Sequence, residues 1–215
     1  MMYLNERIDD LQRGGLRVIQ RADAFRFGTD AVLLADFAAP RRHDRVCDLG
    51  TGTGIIPLLL YARENTISAD AVEIQPDMAD MAARSMAMNG LNEKIRVLPG
   101  DLRSIRTLLP HARYDLVTCN PPYGKAGGTL LNPDASKRLA RHEESCAIED
   151  VACAAAWLLQ NGGRLCCVFP AARMIELSDA MRKYRMAPKR IRMVHSRVEK
   201  AAHLCLMEGM LDAGP

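Results

Sequence analysis

The stretch RVCDLGTGTGIIPLLLYAR (residues 45–63) decides how the rest of the chain is read. RVCDL (45–49) has the apolar pattern of a short buried strand. GIIPLLLYAR (54–63) has the pattern of a helix, and Pro57 is compatible with it because a first-turn N–H needs no partner inside the helix. Between them lies DLGTGTG, Asp48 to Gly54, a glycine turn from a strand into a helix. Glycines let backbone approach a ligand closely, and a helix start presents free N–H donors. A dinucleotide fingerprint would place glycines at 50, 52 and 55, but position 55 is Ile and the third glycine is Gly54. Asp48 would repel a pyrophosphate and attract an ammonium group. The turn suits a ligand that carries an amine.

S-adenosyl-L-methionine, with an amino-acid end and a sulfonium, meets that requirement. Asp48, Gly50, Gly52 and Gly54 are its candidate contacts. Glu73 ends the next strand, ADAVEI (69–74), where a carboxylate accepts hydrogen bonds from ribose hydroxyls. Asp101 follows KIRVLP (94–99) and has two readings. It can accept from the adenine amino group, or it can cap the helix over LRSIRTLL (102–109).

Strand and helix patterns alternate onward from these anchors. PDMADMAARSMAMNG (76–90) is a helix with Pro76 near its start and Gly90 just past its end. YDLVTC (114–119) is a strand. IEDVACAAAWLLQ (148–160) is a helix ended by Gly162 and Gly163. RLCCVFP (164–170) is a strand and ARMIELSDAMRKYRM (172–186) a helix. KRIRMVHSR (189–197) and AHLCLMEGML (202–211) are strands with no helix between them, so they must pair antiparallel. The expected fold is α/β: a doubly wound, seven-stranded, mostly parallel sheet closed by an antiparallel hairpin. Residues 1–40 form a short extension packed on a core of 41–215, with a hairpin turning at Gly14–Gly15 and a helix capped by Thr29 or Asp30.

Bulk composition fits one such domain. The chain has 215 residues, 48% hydrophobic and 26% charged. It holds no apolar run of about 18 residues, and its N-terminus MMYLNERIDDLQRGG has no signal-like apolar core, so neither a membrane span nor secretion is expected. Seven cysteines lack CxxC spacing, and Cys47, Cys119, Cys166 and Cys167 sit in apolar strand patterns. Buried free thiols in a reducing cytoplasm are expected, with no zinc site. Net charge is +3, yet Met181 to Lys200 holds eight Lys or Arg against Glu199 alone. Lys125, Lys137, Arg138 and Arg141 add a second basic cluster. Such clusters bind phosphate backbones or simply form a solvated face.

The strand at 114–119 runs into NPPY, Asn120, Pro121, Pro122 and Tyr123. Exocyclic amines on bases and amides are poor nucleophiles, because the lone pair is delocalised. Two carbonyls that accept from the two N–H groups favour a pyramidal nitrogen. Asn120 offers a side-chain carbonyl, and Pro121 a backbone carbonyl preorganised by the Pro-Pro pair. Tyr123 offers a ring on which a planar substrate stacks for roughly 1–3 kcal/mol.

The order DLGTGTG, VEI, GDL, NPPY at four successive strand ends (45–125) resembles the S-adenosylmethionine-dependent class I methyltransferases, whose fold is Rossmann-like. The N-terminal segment with FGTD (27–30), together with TCNPPYG and ARHEE (140–144), resembles the bacterial tRNA(Val) adenine methyltransferases, a small-domain family. That resemblance implies methylation of the 6-amino group of the adenine next to the anticodon. It makes Thr29 and Asp30 contacts for the methionine end of the cofactor, which Asn120 also touches. Lys125, Arg138, Arg141 and His142 become candidate contacts to the tRNA anticodon loop. Members of that family continue beyond the last strand in a Pro-rich tail, whereas this sequence ends in LDAGP. Rival readings are a protein glutamine methyltransferase, a ribosomal RNA guanine 2-amino methyltransferase, and a tRNA-binding module without turnover.

Overall fold

The computed structural model describes residues 3, 5–21, 28–121 and 146–214. Pro122, Tyr123, Lys125, Arg138, Arg141 and His142, each expected at the site, lie outside the described residues. A hairpin of β1 (Glu6–Asp10) and β2 (Arg17–Arg21) precedes α1 (Thr29–Ala38). The core then runs β3 (Arg45–Leu49), α2 (Ile55–Arg63), β4 (Ser68–Glu73), α3 (Pro76–Met88), β5 (Ile95–Pro99), α4 (Ile105–Leu108) and β6 (Tyr114–Cys119). After it come α5 (Ile148–Leu158), β7 (Leu159–Pro170), α6 (Met174–Lys183), β8 (Met186–Val194) and β9 (Leu204–Leu211).

The large sheet has seven strands in the order β5-β4-β3-β6-β7-β9-β8. Strands β5, β4, β3, β6 and β7 pair parallel in that order, and β9 runs antiparallel to both β7 and β8. This is the expected architecture. Alternation along the strands divides the core. Leu116, Cys166 and Val168 pack with α1, α2 and Met86 of α3. Val117, Leu165, Cys167 and Phe169 pack with α5 and α6 on the other face. Cys166 and Cys167 therefore point to opposite faces of the sheet, as successive strand residues must. All seven cysteines are free thiols.

Three local readings differ from the structure. Gly162 and Gly163 do not end a helix; they lie within β7, which begins at Leu159. Gly162 has φ 76°, and a Cβ on Gly163 would lie 3.1 Å from the Tyr114 carbonyl oxygen. The glycines thus let β7 pair with β6 across the register shift after Tyr114. The final hairpin starts earlier than its apolar pattern, at Met186, directly after Arg185 at φ 65°. Pro188 fits there because β8 is an edge strand. The cap of α1 is Gly28, with Thr29 and Asp30 its first two helical residues.

The N-terminal hairpin docks on α3. Arg84 grips Glu6 at 2.6 Å, and the Asn89 side chain bonds both the N–H and the C=O of Arg17, at 2.9 and 2.6 Å. Ser85 accepts from the Ile19 N–H at 3.0 Å.

The far end of α1 is held more firmly. No basic residue lies in its own last turn, so its terminal carbonyls depend on other elements. Arg63 donates to the Asp36 carbonyl at 3.1 Å, and Arg190 to that of Phe37 at 2.6 Å. Arg164 donates to the Ala38 carbonyl at 2.9 Å. Arg192 pairs with the Asp36 carboxylate at 3.1 Å. Arg63 and Arg192 beside it hold the Asp36 carboxyl below its ordinary range. Arg164 is 5% exposed and also meets Glu208 and Asp44 at 3.2 and 3.3 Å.

Truncating Arg164 would leave both acids buried with one cation fewer. Arg164→Met is expected to cost about 3 kcal/mol, read as a lower midpoint in urea unfolding. Arg63→Ala, which loses an exposed pair, should cost under about 1 kcal/mol; equal costs would show that burial does not set the strength of this clamp.

Candidate functional site

The strand order reverses at β3, with β4 on one side and β6 on the other. Ligands in open α/β sheets bind outside the carboxyl ends at such a point. Asp48 of β3 lies beside Thr118 of β6 in register and is fully buried. Its Oδ1 accepts from the Thr118 hydroxyl at 2.6 Å. Its Oδ2 is buried with no hydrogen-bond partner. Burial pushes the Asp48 carboxyl up to about 7, and the charge of Glu73 adds to the rise. The Thr118 bond opposes it. The Thr51 hydroxyl lies close enough to soften the shift, but its geometry falls short of a hydrogen bond. A carboxylate oxygen buried without a donor is costly in an isolated protein and useful beneath a cationic ligand.

The glycine turn uses backbone that few other residues adopt. Gly50, Gly52 and Gly54 have φ of 71°, 57° and 82°, a region closed to most side chains. A Cβ on Gly50 would meet nothing within 4 Å, and one on Gly52 only the Met78 methyl at 3.8 Å. Gly54 serves packing instead. A Cβ there would lie 3.3 Å from the Ala82 Cβ, so its bareness lets the start of α2 pack against α3.

Glu73, 4% exposed, braces the turn from the end of β4. Its Oε2 accepts from the Gly52 N–H and its Oε1 from the Gln75 N–H, each at 2.8 Å. Each oxygen keeps a second lone pair for a hydroxyl donor. Asp101 stands at the end of β5 as the N-cap of the short 3-10 turn at Leu102–Ser104. It accepts from the Arg103 N–H at 2.9 Å and from the Arg103 Nε at 2.8 Å. Arg103 holds its carboxyl below the ordinary range.

Asn120 follows β6 at the same edge. Its side-chain amide donates to Asp30 Oδ2 at 3.1 Å, joining residues 90 positions apart. Thr29 is exposed and Asp30 half-buried in the first turn of α1. Pro121 is buried and borders a cavity of about 610 Å³. Ile148, Phe169 and Arg173 line that cavity, and the Arg173 guanidinium stacks 4.9 Å from the centre of the Phe169 ring. Asp48, the three glycines and Glu73 thus surround one turn, and Asp30 meets Asn120 beside it. Asp101 shares the edge but is engaged by Arg103.

Sequence reasoning missed Thr118, Gly28 and this cavity wall. Thr118 left a signal, as the one polar residue facing inward late in YDLVTC. The cavity left none, because its wall comes from three distant segments.

A family model for the methyltransferase small domain matches residues 22–190 of the chain. The tRNA1(Val) (adenine(37)-N6)-methyltransferase of Porphyromonas gingivalis is 33% identical over 195 residues, covering 88% of this chain and 76% of its own. The protein of the same name from Parabacteroides distasonis is 33% identical over 169 residues, covering 78% and 69%. Among solved structures, a protein of Agrobacterium tumefaciens described as a predicted O-methyltransferase superposes with a TM-score of 0.68 at 25% identity, over 84% of this chain and 80% of that one. TrmN from Thermus thermophilus superposes with a TM-score of 0.63 at 24% identity, over 84% and 48%. With its glycine turn, its strand-end acids and its Asn-Pro edge in place, the chain belongs to the methyltransferase small domain family.

Proposed function

We propose that the protein transfers a methyl group from S-adenosyl-L-methionine to the exocyclic 6-amino group of adenine in tRNA, next to the anticodon of tRNA(Val). The observation that carries this is the pairing of two features at one sheet edge. Asp48 Oδ2 is buried without a donor beneath an open glycine turn, and Asn120 stands at the end of the next strand. The relatives named above supply the substrate class.

The cofactor supplies an electrophilic methyl group on a sulfonium. Asp48 sits where its charge favours an ammonium, Glu73 has lone pairs to spare for ribose hydroxyls, and Asp101 has them for an adenine amino group. Thr29 stands at the same edge. The Asn120 side-chain carbonyl and the Pro121 backbone carbonyl would accept from the two N–H groups of the target amine, freeing its lone pair for in-line attack on the methyl carbon, with the S–C bond electrons leaving on the neutral thioether. Pro122 stiffens that backbone and Tyr123 stacks on the base. The methylated nitrogen is acidic and loses its proton to water, so no strong base is needed. Most of the acceleration comes from positioning.

The basic segments have separate duties. Arg190 and Arg192 serve α1, and Lys183 pairs with Glu149 at 2.7 Å. Lys125, Arg138, Arg141 and His142 follow the Asn-Pro edge in sequence and are assigned to the tRNA anticodon loop, whose bases are already unpaired and cheap to splay. The buried free thiols suit the cytoplasm, where tRNA is modified. Among the described residues no helix is long and apolar enough to cross a membrane.

Labelled S-adenosyl-L-methionine with unmodified tRNA should yield 6-methyladenosine on nucleoside mass analysis, and Asn120→Ala should reduce the rate at least about a hundredfold. Label in ribosomal RNA or in a protein glutamine, with none in tRNA, would move the reading to those substrates.

Cofactor affinity should depend on pH through Asp48. Its folded-state carboxyl lies at about 7, so protonation removes the attractive charge as pH falls through that value. Binding measured by calorimetry should weaken about tenfold from pH 8 to pH 6, and Asp48→Asn should flatten the profile. The sign for stability is the reverse. The folded state holds the proton more tightly than the unfolded state, so the ligand-free protein gains stability as pH falls from about 7 toward the ordinary carboxylate value of 3.8.

A further inference from the structure

The Asn120 side chain presents two ends of nearly equal shape, and only one of them serves the chemistry. Its carbonyl must face the target amine. Its amino end would donate where acceptance is needed, and would set N–H against N–H. Something must choose between the two orientations. Asp30 lies 3.1 Å from Asn120 Nδ2. An ionised carboxylate only accepts, so it holds the amino end and rejects the carbonyl end. We infer that Asp30 is a positioning residue that locks the Asn120 amide with Oδ1 turned toward the substrate.

Three further observations support this role. The other oxygen of Asp30 accepts from the Ala31 N–H at 3.0 Å, so the carboxylate is held by its own helix start. Gly28 has φ −86°, a value open to any residue, so backbone freedom is not why it is glycine. A Cβ on Gly28 would instead collide with Asp30 Oδ1. Gly28 is the space the carboxylate occupies. Finally, α1 is pinned at its other end by Arg63, Arg164, Arg190 and Arg192. The helix is a fixed strut between that clamp and Asn120. Asp30 thereby has a role different from contact with the methionine end of the cofactor, one that rests on the reading of Asn120 given above.

The test compares Asp30→Ala, Asp30→Asn and Gly28→Ala with wild type and with Asn120→Ala. Cofactor Kd, kcat and KM for tRNA are measured, along with the nitrogen-15 signal of the Asn120 side-chain amide. Asp30→Ala should lower kcat about tenfold, the effect of losing one orienting hydrogen bond, with cofactor Kd within about twofold of wild type. Gly28→Ala should lower kcat similarly although the carboxylate remains. Asp30→Asn, which still offers a carbonyl, should recover part of the loss. Asp30→Ala should add little on top of Asn120→Ala, as expected of residues that act as a unit.

A raised cofactor Kd with kcat unchanged would overturn the inference and make Asp30 a cofactor contact. Full additivity with Asn120→Ala would overturn it too. The amide signal separates this inference from the choice of substrate. If wild type leaves tRNA unmethylated, the substrate reading fails, while an Asn120 amide signal that shifts in Asp30→Ala and Gly28→Ala still supports the lock and an unmoved signal defeats it. Gly28→Ala and Asp30→Asn carry the test if Asp30→Ala does not fold.

Discussion

One buried hydrogen bond sits at the centre of this architecture: the Thr118 hydroxyl donating to Asp48 Oδ1 at 2.6 Å. It ties β3 to β6, the two strands between which the sheet reverses its order. With Oδ1 held there, Oδ2 is left beneath the glycine turn with no partner. Rotation of the carboxyl to satisfy Oδ2 would break the bond to Thr118. Under the proposed function, this unpartnered oxygen is the acceptor offered to the cofactor's ammonium group. Glu73 reinforces the arrangement by fixing the Gly52 and Gln75 N–H groups, and its own charge makes the Asp48 anion harder to bear. A buried carboxylate oxygen without a hydrogen-bond partner breaks a local rule, as is expected at functional sites.

The fold was legible because its signals are local and repeated. RVCDL and YDLVTC are strands at the residues where their apolar runs begin and end. Short runs that must be buried on both faces leave little freedom in register. The absence of a helix between the last two strands fixed their antiparallel pairing. The errors share one cause. Gly162–Gly163 signals a break in regular structure, but which structure it breaks depends on how closely Tyr114 approaches, and that is tertiary. The added length of strand at Met186–Pro188 depends on Leu211 to Gly209 lying alongside.

The geometry of the candidate site was legible where a strand end carries its own local signal. The glycine turn, Glu73 and Asn120 stand at the strand ends where the sequence put them. Asp101 shows the limit. A carboxylate before a helical turn caps it whether or not a ligand is present, and here it does so with Arg103 wrapped around it. Capping uses one lone pair of several, so the cap leaves room for the proposed contact with an adenine amino group. The relation of Asp30 to Asn120 was not legible. Each stood out alone, but a contact across 90 positions needs the path of α1, which no local pattern gives.

That path accounts for two cations of the basic run. A positive run such as Met181 to Lys200 suggests a nucleic-acid face, yet Arg190 and Arg192 lie over the Phe37 ring at 4.2 and 5.5 Å and bond the end of α1. Four carbonyls at a helix C-terminus need donors, and α1 has none of its own in its last turn. Arginine satisfies them well, since its planar head reaches a carbonyl and a carboxylate at once, as Arg164 does with Ala38, Glu208 and Asp44. The clamp lies at one end of α1 and Asp30 at the other. Only a rigid helix can carry placement across that length. Two members of the basic segment, Arg190 and Arg192, thus hold the end of α1 and are already engaged there.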